Sequence, residues 1–160
     1  MKALSLMQPM AWAIFHGKNV ENRPKKINYR GPLLIHSSKN FNPEHLDFLK
    51  RNPDLLDQPL PEYFLQGALL GTVEATDCVQ YSESRWFFGP NGLLVEKAKE
   101  FSKPIFYRGW PGLFDVHEQV FQLNEHECQW VEEYYGDSCR LCGHFVPDGM
   151  GPWMPEESQI

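Results

Sequence analysis

The amino-acid sequence predicts an α+β domain, built as a small mixed β-barrel with two or three short helices and a C-terminal extension. Three observations favour this class: strand-like segments are short, turn-forming residues are abundant (12 glycines and 13 prolines), and few segments have helical spacing. A length of 160 residues with 42% hydrophobic residues suits a globular domain with a real core. We place the domain at residues 1–116 and the extension at residues 117–160.

The first segments alternate between strand and helix. Residues 3–7 have the pattern of a strand, and residues 10–16 that of a short apolar helix. Gly17 supplies the left-handed residue that commonly ends a helix. From about residue 20 we expect extended chain, in which Glu21 and Arg23 point to the same face.

The middle of the chain holds the most regular elements. Residues 31–37 are nearly continuously apolar, which predicts a central strand, and we interpret His36 at its end as a hydrogen-bonded structural residue. Asn42, a proline and an acidic first turn predict a helix to about residue 52. Residues 61–65 are expected to restart a short helix.

The second half of the domain is predicted to consist mainly of β-strands. Residues 67–79 form the clearest strand pattern, with Glu74 in its middle, where a charge needs a partner or a cavity. An aromatic run then leads into a strand at residues 93–95. Trp86 in this run fits either the core or a loop position from which its ring stacks on a base.

Composition limits the possible functions. The formal net charge of −6 argues against coating nucleic acid with a broad basic surface, because such binding depends on phosphate neutralisation. It leaves room for a local basic pocket that reads one nucleotide. Four cysteines without a signal-like start indicate a reducing compartment, and no apolar run approaches the roughly 20 residues that span a bilayer. We therefore expect a cytoplasmic protein without membrane contact.

Charged residues are concentrated where the first helix gives way to extended chain. Lys18, Glu21 and Arg23 follow Gly17 in close succession. Three such groups at one corner can hold an anionic or hydrogen-bonding ligand, and they can equally neutralise one another. The residues alone leave both interpretations open.

Four sequence blocks, in this order, resemble the ASCH domain, a relative of the PUA RNA-binding fold. Residues 17–23 read G-K-x-x-E-x-R and resemble its G-x-K-x-x-E-x-R signature, except that Gly17 directly precedes Lys18; the flanking blocks are residues 4–9, 29–36 and 71–75. The resemblance covers roughly residues 2–116, with residues 103–116 similar to the closing strands of the barrel. It implies a PUA-like barrel.

The resemblance also implies a cleft beside the barrel that encloses a base, often a modified one. RNA, a nucleotide or a modified nucleoside would then be the partner. Lys18 and Arg23 would contact a phosphate or a base carbonyl, with Trp12 or Trp86 stacking. Glu21 and Glu74 would line the same pocket.

A hydrolase is the alternative that the resemblance raises. One ASCH branch removes the acetyl group from N4-acetylcytidine with a lysine, a threonine three residues later and a distant glutamate. Lys18 and Glu74 match two of these, whereas Glu21 occupies the threonine position and would act as a base toward water. The catalytic candidates are thus Lys18, Glu21 and Glu74. Another branch is described as ribonucleases, which these residues neither support nor exclude.

The C-terminal extension carries a possible metal site. Cys139 and Cys142 form a C-x-x-C-G step typical of a zinc knuckle. The candidates for the remaining ligands are His117, His126, Cys128 and His144, of which we select Cys128 and His144. The zinc would be structural. A redox pair and free thiols are the rival interpretations. A further alternative makes this cysteine-bearing extension a surface for a protein partner.

Overall fold

The computed structural model describes residues 1–117, residue 120, and the backbones of residues 130–133, 136–139 and 145–147. The chain divides into two compact units, Met1–His117 and Glu118–Ile160. In chain order the first unit contains β1 (Lys2–Gln8), α1 (Met10–Ala13), β2 (Val20–Arg23), β3 (Gly31–Phe41), α2 (Pro43–Arg51), a 3-10 turn (Pro53–Leu55), β4 (Ala68–Val79), β5 (Asn91–Phe106) and β6 (Leu113–Asp115).

The six strands of the first unit form one mixed sheet in the order β2-β5-β4-β3-β1-β6. Strands β1 and β3 are parallel, and the other neighbouring pairs are antiparallel. The α+β class and the small mixed PUA-like sheet are confirmed, as is the central position of β3. The sheet is open, with β2 and β6 at its edges, so β2 presents an unpaired side.

Among the described residues, two apolar clusters of the core include residues of α1 or its C-cap. Ala11 and Ile14 pack with residues of β1, β3, β4 and β5 in the first cluster. Trp12 and Ala13 pack in the second cluster, which includes Leu49 of α2. Helix α1 therefore packs against both the sheet and α2.

Helix α2 forms as the sequence predicts. The Asn42 side chain accepts hydrogen bonds from the backbone N–H groups of Glu44 and His45 at 2.9 and 3.4 Å, with Pro43 at the first helical position. Lys50 and Arg51 lie in its last turn, where cations are favourable.

The helix expected at residues 61–65 is wrong, because this segment is irregular. Tertiary contacts decide its path. The Leu65 carbonyl accepts a hydrogen bond from the Gln8 side chain at 2.7 Å, and the Phe64 ring packs edge-on against Trp12. The segment is thereby held as irregular chain on its way into β4.

Strand β5 is much longer than the three residues expected at 93–95. It continues through a charged, exposed stretch between Glu96 and Lys103, and it pairs with β4 across several register shifts. In the second unit, β7 (Trp130–Glu133), β8 (Gly136–Cys139) and β9 (Phe145–Pro147) form an antiparallel sheet in that order. Within the described residues, no helix is long and apolar enough to cross a membrane.

Candidate functional site

The charged segment after α1 is held by backbone hydrogen bonds at both ends. Gly17 has a φ of +110°, and the Lys18 N–H donates to the Ala13 carbonyl at 2.9 Å, the bond of a glycine C-cap. The Asn19 carbonyl then accepts from Val95 N–H at 3.0 Å, and β2 starts at the next residue, paired with β5. The fold thus fixes the segment that carries Lys18, Glu21 and Arg23.

Lys18 and Glu21 form an ion pair with little access to water. The Lys18 Nζ donates a hydrogen bond to Glu21 Oε2, and the two side chains are only 3% and 11% exposed. Burying a charge is costly unless it is paired and hydrogen-bonded. The two residues therefore act as one nearly neutral unit.

Arg23 extends this pair toward solvent. Its Nη1 lies 3.5 Å from Glu21 Oε1, and its side chain is 22% exposed. A guanidinium has five N–H donors, and within the described part of the chain this contact is the one hydrogen bond that its side chain makes. The remaining donors are free for a ligand. The neighbouring Lys25 and Lys26 are exposed.

Glu74 lies apart from the ion pair. Its neighbour Ala75 pairs with Val95 of β5 and belongs to the core, so Glu74 points to the opposite face of the sheet. Glu21 pairs with Leu93, which shares the face of Val95. Among the described residues the Glu74 carboxylate has no hydrogen-bond or ion-pair partner. The structure therefore brings Lys18, Glu21 and Arg23 together, without Glu74.

Trp12 and Trp86 are buried in the second apolar cluster. The ring of Trp12 packs on His16 and Phe64, and that of Trp86 packs on Phe48. Stacking of either tryptophan on a base would require its ring to be uncovered. Their role in binding stays a prediction.

His45 of α2 lies near enough to the ion pair for both charges to act on its ring, and it was not among the predicted site residues. Its Nδ1 is buried without a hydrogen-bond partner. Burial lowers the pKa of His45; the nearby charge of Glu21 raises it, that of Lys18 lowers it, and Glu44 raises it slightly. The sequence did contain a signal for His45: it lies four residues before Leu49, on the helical face that packs inward, and Leu49 is fully buried.

Phe88 is a second residue that the sequence pattern did not single out. The Asn22 side chain fixes its loop, accepting from the Phe88 N–H at 2.7 Å and donating to the Trp86 carbonyl at 2.8 Å. The Phe88 ring is 62% exposed and packs edge-on against Phe48, three residues after His45. An accessible aromatic ring thus lies beside the charged segment.

His36 has a structural role, as its position after an apolar strand indicated. Its Nδ1 accepts from the Ser5 hydroxyl and its Nε2 donates to the Tyr107 carbonyl, both at 2.9 Å, when the proton is on Nε2. Burial lowers the pKa of His36, with the Tyr107 bond opposing this effect. Both ring nitrogens are occupied, so His36 offers none to a ligand.

Comparison with protein-family models matches residues 4–134 to the ASCH domain. The chain belongs to the ASCH domain family. ASCH domains are PUA-like RNA-binding domains, and the match covers most of the chain, from β1 into the second unit. Comparison with curated proteins finds no match.

The metal ligands predicted in this ASCH protein are not tested by the structure. Cys128, Cys142 and His144 lie outside the described residues, and only the backbone of Cys139 is described, at the end of β8. Structural zinc stays a prediction. In the first unit, Cys78 is a buried free thiol whose sulfur accepts from the Ile27 N–H at 3.4 Å.

Proposed function

We propose that this ASCH protein binds single-stranded RNA or a nucleotide at the surface formed by Lys18, Glu21 and Arg23. The observation that supports the proposal is that burial and charge pairing decrease along this segment. A buried ion pair leads to a guanidinium that is partly exposed and makes a single long hydrogen bond. Membership of an RNA-binding family supports the same conclusion.

Arg23 is the group best suited to meet a phosphate or a base carbonyl. A planar guanidinium binds such acceptors through two parallel N–H bonds. Its contact with Glu21 at 3.5 Å is too long to occupy it. Its guanidinium is therefore available to a ligand while it remains beside the Glu21 carboxylate.

The charge balance favours a small footprint on RNA. Glu21 cancels the charge of Lys18, so the net positive charge here comes from Arg23 with the exposed Lys25 and Lys26. The whole chain has a net charge of −6. Long duplex binding needs many phosphate contacts, whereas recognition of one nucleotide needs few.

Phe88 supplies an accessible ring for stacking. It is exposed, while Trp12 and Trp86 are covered by the second apolar cluster. Stacking of a base on an aromatic ring is a common mode of single-strand binding. Arg23 and Phe88, linked through Asn22, would then contact the backbone and the base of one nucleotide.

The proposal is tested by following binding and product formation together. The wild-type protein is titrated with short single-stranded RNAs, free nucleosides and N4-acetylcytidine, and each mixture is analysed for cleavage or deacetylation. Binding without turnover supports the proposal. Turnover that is lost in Lys18→Ala would instead establish a hydrolase centred on Lys18. Absence of any binding contradicts the proposal.

A further inference from the structure

His45 presents two ring nitrogens in different surroundings. Within the described part of the chain, Nδ1 is the one buried side-chain nitrogen or oxygen that lacks a hydrogen-bond partner. Nε2 is not among the buried unpartnered atoms and makes no hydrogen bond either, so it is the nitrogen that solvent reaches. The imidazole therefore has one open position for a ligand.

The surroundings of His45 fix which nitrogen carries the proton. Burial lowers its pKa, so the ring is neutral at pH 7. A proton on Nδ1 would be a buried N–H donor without an acceptor, which is costly, whereas a proton on Nε2 remains accessible to water. The proton then sits on Nε2, which makes the accessible nitrogen a donor.

The neighbours of His45 are the residues of the proposed site. The charges of Glu21 in β2 and of Lys18, which precedes β2, act on the pKa of its ring. Glu44 acts on it from the same helix, α2. Phe48, one helical turn further, carries the contact with Phe88. His45 thus lies within the range of the ion pair's charges, one helical turn before the residue that contacts the exposed aromatic ring.

We propose that His45 determines base specificity at this site by donating its Nε2–H to an uncharged acceptor, such as the carbonyl oxygen of a base. This inference rests on the proposed function. Because Nδ1 is buried, Nε2 is the ring nitrogen that a ligand can reach. A neutral N–H donor can select a base through the acceptors on its edge, which a phosphate contact cannot do.

The test compares three single-stranded RNA homopolymers of about eight nucleotides, oligo(A), oligo(C) and oligo(U). Wild-type affinities are expected to differ between them. His45→Leu should weaken binding of the preferred homopolymer about tenfold, the usual loss for one hydrogen bond of this kind, and should reduce the differences between homopolymers. Arg23→Ala should weaken all three alike, because phosphate contacts carry no sequence information.

Two further readouts separate recognition from a structural role. His45→Leu should unfold at the same temperature as the wild type or higher, because the unpartnered Nδ1 is gone. His45→Gln places an amide N–H near the Nε2 position and should keep the wild-type preference. His45→Asn places its amide nearer Nδ1, so recovery by Asn and not by Gln would overturn the assignment to Nε2.

The outcomes also distinguish this inference from the function on which it rests. If His45→Leu binds every homopolymer as the wild type does while Arg23→Ala binds more weakly, the inference about His45 fails and the RNA-binding proposal stands. If the wild type binds none of the three RNAs, both fail.

Discussion

Lys18 and Glu21 form an ion pair, and the two residues differ in whether they have a second charged partner. Glu21 also contacts Arg23, whereas the Lys18 ammonium group has no second acceptor within the part of the chain that the structure describes. Loss of one partner therefore has different consequences for the other. The pair gives a direct way to measure how the segment is stabilised.

We predict that Glu21→Leu destabilises the protein more than Lys18→Met. The first change leaves a buried ammonium group unpaired, which typically costs about 3–5 kcal/mol. The second leaves a carboxylate that Arg23 can approach, so the loss of free energy of unfolding is smaller. Urea denaturation of the two variants and of the double variant Lys18→Met/Glu21→Leu measures these terms.

The double variant is the control for this comparison. Replacing both partners removes the unpaired charge, so it should be more stable than Glu21→Leu alone. Equal losses for the two single variants, or strictly additive losses in the double variant, would show that the ion pair does not control the stability of the segment.

Gly17 is predicted to be intolerant of a side chain. Its φ of +110° is unfavourable for L-residues, at about 1–2 kcal/mol. An added Cβ would also overlap the backbone carbonyl of Leu55. Gly112, at φ +74° with open space around it, is the matched control. Gly17→Ala should lower the free energy of unfolding more than Gly112→Ala, and equal effects would contradict the predicted overlap.

Elements with local signals could be predicted from the sequence. The cap at Asn42, the proline after it and the acidic first turn specify the start of α2 without help from the rest of the chain. The apolar run of β3 specifies a central strand. The K-x-x-E-x-R pattern after Gly17 likewise identified three charged residues that the fold does bring together.

Features that depend on distant contacts could not be predicted. The exposed charged half of β5 is a strand because β4 pairs with it, and residues 61–65 are not helical because Gln8 binds the Leu65 carbonyl. Burial of Trp86 and exposure of Phe88, two residues later, depend on the packing of α2. The separation of Glu74 from Glu21 depends on strand register.

We predict that acid weakens the fold through His36. Its pKa is lowered in the folded state by burial, so between the folded value and the ordinary value of about 6.5 the unfolded chain binds more protons. The contribution of neutral His36 to the stability of the fold is fully present above about pH 6.5 and is lost as the pH falls below that value. His45 acts in the same direction.

The measurement is the unfolding temperature of wild type and His36→Gln between pH 7.5 and about pH 5. The variant should lose less stability over this range, since glutamine does not titrate. The hydrogen bond from Lys2 lowers the pKa of the exposed Asp115 carboxyl, which moves its titration further from this pH range. Identical pH profiles for the two proteins would contradict the prediction.

The cysteine-bearing extension is predicted to hold one structural zinc ion. Protein purified without added metal should contain about one equivalent, because four N or S ligands complete a structural site. Cys142→Ser should lower this content, whereas Cys78→Ser, which alters the buried thiol of the first unit, should not. Metal-free wild-type protein would end the zinc prediction.

The central claim is that Arg23 contacts the RNA, and the affinity of Arg23→Ala tests it most directly. Arg108→Ala is the matched control, because Arg108 is exposed and packs its guanidinium over Trp110, without contact to the ion pair. Binding of a short single-stranded RNA is measured at several salt concentrations. We predict a loss of about 1–3 kcal/mol and a shallower salt dependence for Arg23→Ala, with wild-type affinity for Arg108→Ala. Equal affinities for wild type and Arg23→Ala would contradict the account.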